Sequence, residues 1–103
     1  MLTMTTKFSA FVREIEDEAK AEGPEAVKEL EALRAHFRLG RRIAEARLAR
    51  DLTQKQVAKL AGIDQADVSN IERGAANPTL NTLNALASAV GMEIDLKKSR
   101  RAR

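Results

Sequence analysis

The strongest constraint on this chain is its punctuation. From Leu39 to Gly91 apolar residues recur at spacings of three and four in four short runs, each closed by a turn residue within about three or four turns. Leu39, Ile43, Arg47 and Leu48 share one face of the first run, which ends at Arg50 and Asp51, with Leu52 closing the turn. Thr53 opens the second, where its hydroxyl can accept from the amide of Gln56 while Val57, Ala58 and Ala61 face inward. Gly62 ends it, because glycine reaches the left-handed conformation just past a helix without a Cβ penalty. Ile63 plugs the corner, and Asp64 is expected to cap a third helix, Gln65 to Arg73, which turns Val68 and Ile71 inward and stops at Gly74. Asn77, Pro78 and Thr79 start a fourth, with Leu80, Leu83, Leu86, Ala87 and Val90 facing in and Gly91 at its end. Small Ala58 allows the two helices joined by the tight turn at Gly62 to cross closely.

Upstream, Phe8, Phe11, Val12, Ile15 and Ala19 mark one helical face, with Thr5 or Thr6 as its cap. Gly23-Pro24 breaks that helix and starts another, since proline is tolerated at the first helical position but not in an interior. Val27, Leu30, Leu33 and Phe37 form the stripe of the second helix. Past Gly91 the period changes: Met92, Ile94 and Leu96 alternate with Glu93, Asp95 and Lys97, as in a strand. With no second strand in the chain, that segment is expected to pair across a two-fold axis, making a homodimer in which Met92, Ile94 and Leu96 are buried. The tail after Leu96, KKSRRAR, carries five basic residues that are expected to be disordered; they either strengthen nucleic-acid binding nonspecifically or have no particular role.

Composition narrows the chemistry. At 103 residues the chain is the size of one domain. With 44% hydrophobic and 32% charged residues it is too apolar to stay wholly disordered and too interrupted by charge to span a bilayer, so no membrane is expected as a partner. The absence of cysteine removes thiolate nucleophiles and cysteine-ligated zinc, and His36 alone cannot build a multi-histidine metal site. No nucleophile paired with a base and no phosphate loop occurs, and no self-cleaving Ser/Lys domain is expected to follow. The chain therefore reads as a non-enzyme without cofactor or metal. Its start, MLTMTTKFSAFV, lacks the apolar run of a signal peptide, so a cytoplasmic protein is expected.

Charge is unevenly placed. Residues 1 to 35 carry five Lys/Arg against eight Asp/Glu, and residues 36 to 103 carry thirteen against seven. A basic half suggests a polyanion such as nucleic acid; an acidic half suggests a basic protein partner or a brake on nonspecific binding. The three aromatic residues are all Phe, too few for stacking on single strands, so duplex is favoured.

The stretch LTQKQVAKLAGIDQADVSNIERG followed by NPTLNTLNALASAVG resembles the helix-turn-helix of the phage-repressor-like (XRE/Cro) DNA-binding family, in register from Leu39 to Val90. The resemblance implies an all-α bundle, here with two extra N-terminal helices and one C-terminal β-strand used in dimerisation. It also implies that the helix after Gly62 reads double-stranded operator DNA. Counting 100° per residue from Val68, its outer side presents Gln65, Ala66, Ser69, Asn70 and Arg73, with Asp67 to one side. Gln and Asn can bond bidentately to adenine N6 and N7, Ala66 can meet a thymine methyl, and Ser69 accepts or donates. In the family Gln65, Ala66, Ser69 and Asn70 match base-facing positions, while Gln54 and Arg73 match positions facing phosphate. Asp67 departs from what a phosphate surface favours unless it accepts from cytosine N4. Arg38, Arg41 and Arg42 precede or open the run that begins at Leu39, near the DNA backbone on this reading, and His36 is expected to be solvated or packed. Arg47 and Glu72 match a partly buried ion pair that fixes the first helix of the domain against the recognition helix.

With its N-terminal helices included, residues 5 to 97 look like a HigA-type antitoxin. That implies a bacterial cytoplasmic protein that neutralises a RelE-like HigB toxin, an mRNA-cleaving ribonuclease, and represses its own operon. The expected division is a helical segment at 1–37 that binds toxin, with Phe8, Phe11, Val12 and Ile15 as anchors, a DNA-binding domain at 38–91, a dimerisation strand at 92–97 and a basic tail at 98–103. The alternative is a stand-alone phage-repressor-like regulator with no toxin partner.

Overall fold

The computed structural model describes residues 2–100, with side chains at Lys7 and from Ser9 onward; the side chain of Phe8 lies outside the described residues. Five helices run in order: α1 Leu2–Glu22, α2 Pro24–Ala49, α3 Gln54–Ala61, α4 Gln65–Glu72 and α5 Leu80–Ala89. None of the helices among the described residues is long and apolar enough to cross a membrane. The chain divides into two compact units, residues 1–35 and 36–103.

In the first unit the Gly23-Pro24 break falls where the sequence puts it. Gly23 sits at φ 118° and Pro24 begins α2. The Gly23 amide still bonds to the Ala19 carbonyl at 3.1 Å, closing α1. Thr5 and Thr6 lie inside α1, which begins at Leu2, so neither caps it. Ala19 is buried, Val12, Ile15, Val27 and Leu30 are half-buried, and Phe11 and Leu33 are exposed. Arg34 donates to Glu16 at 2.6 Å, an ion pair at partly exposed side chains.

The second unit has a closed core. Val57, Val68, Leu86 and Val90 are fully buried, and Ile43, Ala58 and Ile71 complete the cluster; Leu39, Ala46, Leu52, Ile63 and Leu83 pack around it. These residues come from α2 through α5, so the three-four spacing of each short run is what delivers them to one centre. Leu80 and Leu48, expected to face inward, are 62% and 61% exposed. Leu80 is the first residue of its helix, one turn before the face that the core covers, and Leu48 is in the last turn of α2.

Two expectations about elements are corrected. The stripe ending at Phe37 and the run starting at Leu39 are one helix, because nothing between them caps or breaks it. Gly40 stays helical inside α2 and serves a different purpose: a Cβ there would collide with the carbonyl oxygens of Ile71 and Glu72, the latter 2.6 Å away. Glycine at this position lets α2 pass directly over the end of α4. The C-terminal β-strand is also absent. Residues 92–99 form no strand, since alternation alone supplies no ladder without a neighbouring segment to accept and donate its hydrogen bonds. Met92, Ile94 and Leu96 are exposed, Leu96 at 95%.

Candidate nucleic-acid interface

The site lies where α3 and α4 begin. Thr53 is extended at φ −82°, ψ 162°, and its hydroxyl accepts from the Gln56 amide at 3.0 Å while the Gln56 side chain accepts from the Thr53 amide at 2.8 Å. This reciprocal pair satisfies two amides that a helix start leaves without partners. At the other end Gly62 takes φ 72°, and Ile63 N bonds Ala58 O at 3.0 Å, so the chain reverses within two residues. Asp64 occupies the N-cap position of α4 but its side chain makes no capping bond, contrary to expectation. α4 is pinned from behind by Val68 and Ile71, and ends where Gly74 turns at φ 72° beneath the ring of Phe37.

Behind the outward face lies one polar network. Arg47 Nε donates to Glu72 Oε2 at 2.7 Å, Nη2 to Glu72 Oε1 at 3.1 Å, and Nη1 to the Leu52 carbonyl at 2.8 Å. The forked guanidinium thus ties the end of α2 and the following turn to the last residue of α4. The side chains are only 13% and 7% exposed, and the hydrogen bond to Glu72 raises the Arg47 pKa against the opposing effect of burial. The ion pair expected from the sequence is therefore present. Gln54 Nε2 also donates to Glu72 Oε1, at 3.1 Å, so the second carboxylate oxygen carries two bonds. No buried side-chain nitrogen or oxygen among the described residues lacks a partner.

The proposed DNA contacts separate by position. An open cleft of about 590 Å³ is lined by Asp51, Thr53, Gln54, Lys55 and Gln65, so the starts of α3 and α4 bring Gln54 and Gln65 together. Gln65, Ala66 and Asp67 are exposed; Ser69 and Asn70 are half-buried, more covered than a rotation of 100° per residue implies. Arg73 does not extend freely into solvent: its Nη2 donates to Asn70 Oδ1 one turn earlier. Arg41 and Arg42 are exposed on α2 and do not line the cleft, and Arg41 lies 3.8 Å from Glu45. Two cleft residues escaped the sequence reading. Lys55 follows Gln54 in the first turn of α3, a cation beside a polar residue at a helix start. Asp51 is in the left-handed region at φ 56°, the one non-glycine residue there among those described, and its signal was its place just past a helix end. Of the expected toxin anchors, Phe11 is exposed, Val12 and Ile15 are half-buried, and Phe8 falls outside the described side chains.

A family description, helix-turn-helix, matches residues 43–97, just over half of the chain. The chain belongs to the helix-turn-helix family. Within this family it is 41% identical over 56 residues to an immunity repressor protein of Bacillus phage phi105, covering 54% of this chain and 39% of that one. It is 48% identical over 56 residues to a candidate antitoxin, HigA2, of Mycobacterium tuberculosis, covering 53% of this chain and 55% of the relative. The match thus spans about half or less of those relatives. Among solved structures, the restriction-modification controller protein C.AhdI from Aeromonas hydrophila aligns with a TM-score of 0.55 and 36% identity, over 57% of this chain and 89% of that one.

Proposed function

We propose that this helix-turn-helix protein is a transcriptional regulator that binds duplex DNA with α4 in the major groove. The observation that carries this reading is the outer face of α4, where Gln65 and Ala66 stand exposed while Val68 and Ile71 lock the opposite face into the core. A helix held rigidly from behind and polar in front suits direct readout. Gln65, Ala66, Ser69 and Asn70 contact base edges; Gln54, with Arg41 and Arg42, faces phosphate. Two copies associate through Met92, Ile94 and Leu96, whose exposed apolar side chains need cover. Replacing Gln65 by Ala should cost about 1–3 kcal/mol per half-site on the selected duplex and little on random duplex. Replacing Gln54 by Ala should weaken both alike. Fluorescence anisotropy with both duplexes checks this, and equal losses for the two variants would reject the assignment. Ile94→Asp should shift the sedimentation profile toward monomer.

Within that reading the protein is a HigA-type antitoxin. Support comes from the HigA2 relative, from the separate compactness of residues 1–35, from their acidic excess and from Phe11, which is 58% exposed. A basic mRNA-cleaving toxin suits such a surface, with charge steering encounter and apolar anchors holding it. The stand-alone regulator is supported by the phage repressor relative. A chain beginning near Arg34 that still binds its duplex but fails to rescue cells expressing a HigB-like toxin encoded beside it supports the antitoxin; equal rescue supports the regulator.

A further inference from the structure

The contact between Arg73 and Asn70 bears on which base the second residue reads, an inference that rests on the DNA-binding reading and sharpens it. Asn70 lies on the last turn of α4 and Arg73 is its C-cap, at φ −86° and ψ −2°. Three residues apart on a helix, the two side chains are neighbours, and Arg73 Nη2 donates to Asn70 Oδ1. Arginine has donors and no acceptor, so the contact fixes which way the amide is turned. Oδ1 faces the guanidinium, and the two N–H groups of Nδ2 are left for another acceptor; no group among the described residues takes them. Gly74 then turns the chain away at φ 72°, leaving this end of α4 uncovered on the side of Arg73, which is exposed.

A free asparagine amide matches adenine, donating to N7 and accepting from the N6 amino group. Arg73 takes one of the two lone pairs of Oδ1 and turns that oxygen toward itself, so the accepting half of that match is weakened while both Nδ2 donors stay open. The part of the amide left without a partner is a pair of donors, complementary to an edge with two acceptors, and guanine presents O6 and N7 side by side. We infer that Arg73 is a positioning residue for base specificity: by holding Asn70 Oδ1 it orients the amide with its Nδ2 donors outward, which selects guanine over adenine. Arg73 on this account sets sequence preference through Asn70, a role separate from neutralising a phosphate.

Selection from a randomised duplex pool tests this with the full-length protein and the variants Asn70→Ala, Arg73→Ala and the double variant, each checked for folding by circular dichroism. The base position at which Asn70→Ala loses preference identifies what Asn70 reads. There the parent should favour guanine over adenine by about tenfold, within the range of one well-made base contact. Arg73→Ala should shift that same position toward adenine, because the released amide regains its acceptor. The double variant should match Asn70→Ala at that position. Dependence of affinity on salt gives a second readout: a lost phosphate contact lowers the slope by about one, whereas a positioning residue leaves it nearly unchanged. Adenine preference in the parent would mean that Oδ1 accepts from the base with Arg73 in place, and overturns the inference. So would Arg73→Ala weakening all sequences alike with a lower salt slope. Failure of the parent to enrich any duplex would overturn the DNA-binding reading along with it.

Discussion

The two units of this chain are both helical, yet they are stabilised in different ways. Residues 36–103 bury a cluster of aliphatic side chains to near-zero exposure and cap the starts of α3 and α5 with Thr53 and Thr79; among the described side chains of residues 1–35 only Ala19 is buried. A short helix is marginal in water without tertiary packing, so the eight-residue α3 and α4 exist because the core and caps hold them. α1 has 21 residues and a polar surface, and depends far more on its own propensity. A unit that must present α4 in one orientation is the unit with the closed core. In the other, the larger apolar residues among the described side chains stay partly uncovered.

The contrast can be broken most directly by truncating one leucine in each unit. Leu86→Ala should cost about 2–5 kcal/mol, because it removes a fully buried side chain and leaves a cavity. Leu30→Ala, at a half-buried site, should cost clearly less. Urea denaturation of both variants measures the difference, and equal losses would show that the first unit is packed as tightly as the second. Gly40→Ala comes next, at about 1–3 kcal/mol, since its methyl meets backbone carbonyls of Ile71 and Glu72 that cannot rotate aside. An unchanged urea midpoint would mean that α2 can move off α4, and the rigidity claimed for the second unit would fail.

Thr53→Ala should cost about 1 kcal/mol by removing the hydroxyl half of the capping pair, and a thermal melt is sensitive enough to register it. Smallest is Arg34→Ala. The Arg34–Glu16 pair is well formed but partly exposed, and such pairs contribute between nothing and about 1 kcal/mol. A larger loss in low salt that vanishes on adding salt would sharpen the picture of the first unit as held by charge more than by packing.

Much of the second unit was legible because local chemistry and global packing agree there. Thr53 and Gln56 stand three apart, as a capping pair requires; Gly62 and Gly74 stand where the backbone needs positive φ; Val57, Val68 and Leu86 fall on the faces that the core covers. Where the reading failed, the local signal carried no information about neighbours. Glycine in the middle of LGRRIAEA gives no hint that a carbonyl pair waits beneath it, and alternation in MEIDL cannot say whether a strand has anything to pair with. Asp64 has the right residue type for a cap and the right place, yet its side chain makes no bond to the helix amides.

Periodicity, caps and turn residues are encoded within a few positions of one another, so the sequence by itself determined that α3 and α4 are short, joined by Gly62, and packed through Val57, Ala58, Val68 and Ile71. Only the tertiary structure decided that α2 is continuous through Gly40, that Gln54, Arg47 and Glu72 share one network, and that Asn70 is bound by Arg73. The first group depends on backbone torsions and on which face a residue occupies, which a run of ten residues fixes. The second depends on side-chain orientation within ångströms, and for Arg47, Gln54 and Glu72 on groups 18 or 25 residues apart in the chain, which only the packed core brings together.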